Sequence, residues 1–210
     1  MCQKHSVHYS TILVGFVISM SISAASPTRA TDIIPAESQT KLLRGVASHH
    51  HGIRHVEAAQ GDQADDKHGP ITYYSVPFHE GTFSLRWKVE IEQTVVFVFD
   101  SKNDGKATHV LKVFVNGGVG KGNHSKSLTL VTYDGSTTQK KKAKITKHDY
   151  HVDAGQWHTA SVAFKGNKAN VTINDQTFTT TSERLREPIE KCGVMHHKGI
   201  LKTQTVKITQ

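Results

Sequence analysis

Two glutamates are the first residues of this 210-residue sequence that are spaced for chemistry. Glu90 and Glu92 lie two positions apart, so on a β-strand both side chains project to the same face. Carboxyl groups about 5–5.5 Å apart serve retaining glycoside hydrolysis, and wider pairs serve the inverting reaction. Side chains at these positions start about 7 Å apart, which suits either reaction. The alternative is a solvated strand face on which the glutamates alternate with Arg86 and Lys88.

A second polar row consists of Asp149, His151 and Asp153, again at every second position. On a strand this row places two carboxylates beside an imidazole, which suits acid–base catalysis. It also suggests a metal site, but a strand spreads its ligands along a line, whereas a metal ion needs ligands that converge. We therefore predict no metal ion and no cofactor. The candidate catalytic residues are Glu90, Glu92, Asp149 and His151.

Aromatic and basic side chains form a second kind of candidate site, one that binds a ligand without reacting. Trp157 can offer its ring to the apolar face of a pyranose, although packing in a core is the alternative. The lysine run at 140–142 suits acidic glycans, or else is a solvated loop. Interleaved aromatics for base stacking are missing there, so nucleic acid is not a predicted partner. The candidate binding residues are Trp157, Tyr150, Arg86, Lys140, Lys141 and Lys142.

The elements that position these residues have the pattern of short strands. Residues 83–91 alternate apolar and polar with period two, which predicts a half-buried strand. Residues 94–99 are continuously apolar, which predicts a strand covered on both faces. Helical periodicity is absent apart from a turn or two within 182–191. Further strands are predicted at 109–115, 127–133, 143–152, 157–164, 169–173, 176–180 and 199–209. About nine or ten short strands predict an all-β, antiparallel β-sandwich.

The beginning of the chain resembles an export signal. Residues 1–30 combine a mildly basic start, an apolar run over 11–20 and small residues after it. The apolar run is shorter than the roughly 20 residues of a membrane span, so we predict its removal, with a membrane anchor as the alternative. The expected product is secreted or periplasmic and has no membrane span. Cys192 would be its only cysteine, without a disulfide partner.

Composition and charge divide the rest of the chain. Residues 31–69 are polar, with a histidine cluster at 49–51, and predict a linker or a loosely attached first strand; residues 70–210 predict the sandwich domain. With 16 Gly, 5 Pro and 2 Cys, the chain is neither collagen-like nor a disulfide scaffold. Lys and Arg number 26 against 18 Asp and Glu, a net charge of +8 that favours an anionic partner without bearing on the fold.

Residues 154–175 carry the most specific pattern in the sequence. The segments Ala154-Gly-Gln-Trp-His-Thr159, Val162-Ala-Phe-Lys-Gly-Asn167 and Val171-Thr-Ile-Asn-Asp175 resemble a Gly-x-Trp-His…Val-x-Val-Asp-Gly motif of concanavalin A-like jelly rolls. The segments are similar in particular to secreted bacterial 3-keto-disaccharide hydrolase domains, and more distantly to laminarinase-type glucanases. The glucanase catalytic pattern Glu-x-Asp-x-x-Glu is absent. The resemblance implies a jelly roll that reacts with or binds saccharides.

Two functional hypotheses follow from this resemblance. The first is a secreted hydrolase that cleaves a glycosidic linkage of a (3-keto-)disaccharide or a related glycan. The alternative is a non-catalytic glycan-binding or adhesion module of the cell envelope, so whether the protein is an enzyme stays open. A structural surface protein without a small ligand is a third reading. Under the first two hypotheses the partner is a saccharide, and the lysine run at 140–142 extends this to anionic saccharides.

Overall fold

The computed structural model describes residues 30–58, 69–102, 109–116, 126–133 and 143–210, and their regular structure is almost entirely β. Two short 3-10 helices, Glu37–Gln39 and Glu183–Arg186, accompany the strands. None of the described segments is a helix long and apolar enough to cross a membrane. The strands are β1 (Asp32–Ile33), β2 (Thr40–Leu43), β3 (Val46–His50), β4 (Ile53–Glu57), β5 (Ile71–Tyr74), β6 (Gly81–Val89), β7 (Val95–Ser101), β8 (His109–Val115), β9 (Leu128–Tyr133), β10 (Ala143–His148), β11 (His158–Lys165), β12 (Lys168–Ile173), β13 (Gln176–Thr181), β14 (Ile189–His196) and β15 (Ile200–Thr209).

The strands form two antiparallel sheets with the core between them. The eight-stranded sheet has the order β13-β12-β11-β6-β15-β4-β3, and β1 pairs with the end of β15. The seven-stranded sheet has the order β10-β9-β8-β7-β14-β5-β2. Two antiparallel sheets that share one core make a β-sandwich, which confirms the predicted fold class.

Alternating side chains build the core, as period two requires. Phe83 and Trp87 of β6 point inward and are at most 1% exposed. Their rings meet Phe99 and Phe97 of the other sheet at centroid distances of 5.7 and 6.2 Å, edge to face. Each such buried side chain contributes about 1.5–3 kcal/mol. The alternation predicted over 83–91 continues only to the end of β6, because Ile91 lies beyond the strand and is exposed.

The strand predicted to be covered on both faces is buried at every position. β7 lies inside the seven-stranded sheet, between β8 and β14. Phe97 and Phe99 point into the core between the sheets, while Val96 and Val98 belong to a second apolar cluster on the outer face. Burial on both faces explains why this segment shows no alternation in the sequence.

The structure differs from the sequence analysis over residues 31–58. Instead of a linker or one loosely attached strand, this segment contains four strands, β1 to β4, and contributes to both sheets. Arg44 and Gly45, with φ angles of 67° and 72°, connect β2 in one sheet to β3 in the other. Both β2 and β3 are edge strands, and most of the side chains of β3 are exposed. An edge strand that buries few side chains carries a polar sequence without a clear period.

The other difference is β14. The sequence analysis expected a helical turn or two within 182–191, and the 3-10 helix Glu183–Arg186 supplies one. β14 begins directly after Pro188 and is fully inside the seven-stranded sheet, between β7 and β5. It is buried on both faces, and Lys191 and Gly193 interrupt its apolar run. No period was therefore visible at this segment.

Candidate ligand-binding face

The outer face of the seven-stranded sheet is the side turned away from the core. It brings together reactive and polar side chains that are distant in the sequence. Four adjacent strands, β9, β8, β7 and β14, place a row of polar side chains at one end of this face. We call these four residues the polar row. They are Tyr133, His109, Asp100 and Lys191, with Asp100 paired in register to both His109 and Lys191. At about 4.8 Å between strands, the row spans about 14 Å.

Below the polar row the same face is apolar. Val96 and Val98 of β7 are buried, and Met195 and Tyr73 of the neighbouring strands complete the cluster. Phe114 packs against them from β8 and is partly exposed. Because Val96, Val98, Met195 and Tyr73 are all less than 10% exposed, a ligand on this face would reach the partly exposed Phe114 and Lys112 and the polar row rather than the buried cluster.

Gly193 lies at the centre of this floor and allows Tyr73 to lie flat. A Cβ atom at position 193 would stand 2.9 Å from Cδ1 of Tyr73 and 2.8 Å from the main-chain oxygen of Thr72. Both distances are shorter than van der Waals contact, so any side chain there would displace the tyrosine ring or the strand. Glycine at this position thus fixes where the Tyr73 ring rests.

Asp100 is the centre of the polar row. Its side chain is only 2% exposed, and its Oδ1 accepts a hydrogen bond of 2.6 Å from Nδ1 of His109. Its Oδ2 lies 3.6 Å from the ammonium of Lys191. Burying a carboxylate is costly unless it is paired and hydrogen-bonded, and both oxygens of Asp100 have such partners. The side chains of His109 and Lys191 are themselves 31% and 40% exposed, so they reach the surface.

Each of the two tyrosines on this face lies beside a lysine. The ammonium of Lys191 is 4.4 Å from the ring centroid of Tyr73, and that of Lys112 is 5.9 Å from the ring centroid of Tyr133. Burial and the negative charge of Asp100 raise the pKa of Tyr133 to about 12. The same causes raise the pKa of Tyr73, which also hydrogen-bonds to Asp100. Both phenols therefore keep their protons at neutral pH and can donate hydrogen bonds.

Arg184 holds the end of the sheet that carries the polar row. Its guanidinium donates to the main-chain oxygens of His109 and Tyr133, both at 3.3 Å, and to the hydroxyl of Ser101 at 3.0 Å. Glu187 accepts two further hydrogen bonds of 2.9 Å from it. One buried arginine from a 3-10 helix thus connects the ends of β7, β8 and β9, and it positions their side chains relative to one another.

The candidate catalytic glutamates lie elsewhere. Glu90 follows β6 in the eight-stranded sheet, where its carboxylate contacts Lys202 at 2.5 Å and Lys88 at 3.8 Å. Glu92 is exposed and lies 3.7 Å from Lys126. The hydrogen bond from Lys202, the largest cause, lowers the pKa of Glu90 despite a small opposing effect of burial. Both glutamates thus take part in exposed ion pairs.

The second candidate row is not a strand row. β10 ends at His148, so Asp149, His151 and Asp153 lie in the connection to β11. His151 is 3.9 Å from Asp153, and both side chains are well exposed. Among the described residues, neither Asp149 nor His151 has an ion pair or hydrogen bond with Glu90 or Glu92. The two pairs of candidate catalytic residues thus make no direct contact, although Gly155 of the same connection donates a main-chain hydrogen bond of 2.8 Å to Val89, next to Glu90.

The candidate binding residues are divided between several places. Trp157 is partly exposed beside the eight-stranded sheet, with the guanidinium carbon of Arg86 5.3 Å from its ring centroid. Tyr150 is half-buried: its hydroxyl donates to the main-chain oxygen of Ile173 at 3.1 Å, and its ring packs on Phe178. Lys140, Lys141 and Lys142 lie outside the described residues. Within the described ranges, no group of three or more His, Cys, Asp or Glu side chains is arranged to hold a metal ion.

Sequence reasoning missed the polar row, although part of its signal was present. Asp100 directly follows the apolar run of β7 and His109 begins β8, the next strand along the chain, and the antiparallel pairing of these strands places the two residues opposite each other. A charged residue at the end of a fully apolar strand was the available clue. Lys191 and Tyr73 carried no such clue, because β14 and β5 are distant from β7 in the chain and come close to it only in the assembled sheet.

Comparison with solved structures identifies the fold. The chain is similar to carbohydrate binding module CBM66 from Bacillus subtilis, with a TM-score of 0.54, 8% identity, and coverage of 80% of this chain and 93% of that one. The CBM2 module of the evolved Dit of Lactobacillus casei BL23 phage J-1 gives 0.55 and 14%, covering 82% and 90%. LamAcat from Zobellia galactanivorans gives 0.55 and 11%, covering 78% and 80%.

These similarities confirm the predicted concanavalin A-like jelly roll and, at such low identities, concern the fold alone. No protein-family model and no curated protein sequence matches the chain.

Proposed function

We propose that this jelly roll is a secreted saccharide-binding module and that it binds its ligand on the outer face of the seven-stranded sheet. The observation that carries the proposal is the polar row, in which the partly exposed ring of Tyr133 lies 5.9 Å from the partly exposed ring of His109. Aromatic rings stack on the apolar faces of pyranoses, while hydroxyl and charged groups satisfy the sugar hydroxyls. One of the similar structures described above is named a carbohydrate binding module and a second is named a CBM2 module, which supports the same class of ligand.

The number and position of the carboxylates on this face favour binding over hydrolysis. Glycoside hydrolysis needs two carboxyl groups about 5–5.5 Å or 6.5–9.5 Å apart. Among the described residues of this sheet that are paired between strands and face outward, only Asp100 has a carboxylate. That carboxylate is already bound by His109 and Lys191. Cleavage of a (3-keto-)disaccharide is the competing proposal, with Glu90, Glu92, Asp149 and His151 as its candidate residues.

Substitution of one aromatic on each sheet tests the proposal. Tyr133 and Trp157 are both partly exposed and both lie beside a cation, but they lie on different sheets. In calorimetric titrations with a panel of poly- and disaccharides, Tyr133→Ala should lower affinity about tenfold or more. Trp157→Ala, the matched control, should leave affinity unchanged. Loss of binding with Trp157→Ala alone would place the site on the other sheet and contradict the proposal.

A turnover assay separates binding from hydrolysis. The protein is incubated with the saccharides that it binds and with 3-keto-disaccharides, and released reducing sugars are measured. We expect binding without product. Product formation that is lost in Glu90→Gln or Asp149→Asn would establish the hydrolase instead.

Export is part of the same proposal. Residues 1–30 are proposed to direct secretion and to be removed, since their sequence has the arrangement of an export signal. Intact-mass measurement of the protein recovered from outside the cytoplasm should show a chain that begins between residues 25 and 31. A full-length chain retained in the cytoplasm would contradict this assignment.

A further inference from the structure

The polar row presents hydrogen-bond donors to a ligand, whereas its acceptor, the carboxylate of Asp100, is buried. The Asp100 carboxylate is 2% exposed, and its two oxygens face His109 and Lys191. What remains accessible beside it is the ammonium of Lys191 and the partly exposed Lys112 and Tyr133. Neutral saccharide hydroxyls need acceptors as well as donors. A surface that offers mainly donors is better matched by a ligand rich in acceptors.

The charges at the described, register-paired outward positions of this face point the same way. The strand pairing places four lysines on the outer face, each on a different strand. Among the described residues that are paired between strands and face outward, Asp100 is the only acid. The four lysines are Lys41, Lys112, Lys147 and Lys191. An excess of one sign over a single face raises the local concentration of ligands of the opposite sign and favours their binding.

Two of these lysines stand next to rings. Lys191 lies beside Tyr73 and Lys112 lies beside Tyr133. The strands of the two lysines, β14 and β8, are two positions apart in the sheet, so their backbones are about 10 Å apart. Tyr73 is buried with Lys191 over its ring, so Tyr133 is the ring of this pair that a sugar can reach, beside Lys112. The spacing of the two lysines suits a saccharide chain that carries two acid groups.

We infer that the ligand of this face is an anionic saccharide, one that carries carboxylate or sulfate groups which Lys191 and Lys112 bind. This inference rests on the proposed saccharide-binding function and specifies the class of ligand. Ammonium groups form their stronger hydrogen bonds with charged acceptors. The attraction is therefore expected to weaken as salt screens the charges.

A pair of polymers that differ only in charge tests the inference. Polygalacturonate and its fully methyl-esterified form share one backbone, and chondroitin sulfate adds sulfate groups. We expect at least one of the two anionic polymers to bind about tenfold or more tightly than the esterified polymer. Lys112→Gln and Lys191→Gln should each remove most of that difference. Lys202→Gln, on the eight-stranded sheet, is the matched control and should keep it.

The outcomes separate this inference from the function on which it rests. Equal or tighter binding of neutral saccharides, lost in Tyr133→Ala, would overturn the anionic class and leave the binding module standing. No binding of any saccharide, charged or neutral, would overturn both. Binding of duplex DNA as tightly as the anionic saccharides, with the same decline from 50 to 500 mM salt, would indicate a general polyanion surface and overturn the inference. Circular dichroism of each lysine variant confirms that its fold is intact.

Discussion

Asp100 and His109 face each other across the β7–β8 ladder, and Nδ1 of the imidazole lies 2.6 Å from Oδ1 of the buried carboxylate. The contact joins the strand at the centre of the seven-stranded sheet to the partly exposed surface of its outer face. Because Lys191 approaches the other oxygen, this carboxylate on β7 connects a histidine of β8 with a lysine of β14. The polar row is thus a single interacting group.

Asp100→Asn is expected to destabilise the fold. The substitution removes the negative charge with which both His109 and Lys191 interact. Water can hydrate both partners in its place because both are partly exposed, which limits the loss. We therefore expect a loss of about 1–3 kcal/mol in the free energy of unfolding, measured by urea denaturation. Asp153→Asn, an exposed control, should change it by less than about 0.5 kcal/mol. An unchanged midpoint for Asp100→Asn would show that the pair does not stabilise the protein.

Gly193→Ala is expected to disturb the floor of the face. The new Cβ would meet the Thr72 main-chain oxygen at 2.8 Å and the Tyr73 ring at 2.9 Å. Overpacking of this kind costs about 1–3 kcal/mol, and saccharide affinity should fall with it because Lys191 rests beside the Tyr73 ring.

A double-mutant cycle identifies the cause. In a Tyr73→Ala background the cost of Gly193→Ala should shrink, since the ring is gone and only the Thr72 contact remains. If the losses of stability from Gly193→Ala and Tyr73→Ala are additive, the Tyr73 ring is not the reason why glycine is required at position 193.

The tyrosines predict an alkaline limit of stability. Burial raises the pKa of Tyr74 and of Tyr133 to about 12, and it also raises the pKa values of Tyr73 and Tyr150. An unfolded tyrosine loses its proton near pH 10, so the stabilisation is complete below that pH and is lost as pH rises towards 12. Absorbance at 295 nm should therefore show Tyr74 and Tyr133 ionising near pH 12 or together with unfolding, and Tyr73 and Tyr150 ionising above the ordinary value of 10. Ionisation near pH 10 with the fold intact would contradict this.

Cys192 is expected to be unreactive in the folded protein. The thiol is buried in the core, and burial raises its pKa well above the ordinary value of 9.0. The thiolate is the reactive form, so iodoacetamide at pH 8.5 should leave Cys192 unmodified, as measured by peptide mass mapping. In 6 M guanidinium the same reagent should modify it completely. Rapid labelling of the native chain would mean that the strand carrying Cys192 opens readily.

Glu90→Gln is expected to act on stability alone. The hydrogen bond from Lys202 lowers the pKa of Glu90 below its ordinary 4.5, so the ionised pair stabilises the fold above that pH and stops doing so as pH falls through the lowered value. At neutral pH the variant should lose less than about 1 kcal/mol, and this loss should shrink as the pH falls through the lowered pKa of Glu90. Saccharide affinity should not change, and a changed affinity would indicate that this end of the eight-stranded sheet touches the ligand.

The parts of the fold that the sequence predicts are those in which burial leaves a visible period. β6 buries one face and alternates, and β7 buries both faces and is apolar throughout. β3 is an edge strand with mostly exposed side chains, so its residues resemble a loop. β14 is buried, but Gly193 is present because a ring crosses the strand there. That requirement arises from packing between strands distant in the chain and has no local signature.

The site divides in the same manner. Asp100 and His109 are neighbours across one hairpin, and local reasoning can pair them. Lys191 reaches Asp100 only because β14 inserts between β7 and β5. Glu90 and Glu92 have a spacing that suits catalysis, but spacing within a strand does not reveal the partner across it, and for Glu90 that partner is Lys202. Chemistry that depends on sheet order could not be found from the sequence.

The position of β15 has a consequence for how the chain acquires its structure. β15 is the last strand in chain order, but it lies between β6 on one side and β4 and β1 on the other. Until it arrives, the early strands β1, β3 and β4 have no link to the rest of their sheet. Contacts between such distant segments form slowly. The eight-stranded sheet therefore cannot be completed until residues 200–209 have left the ribosome, and the edge of β6 lacks its partner until then.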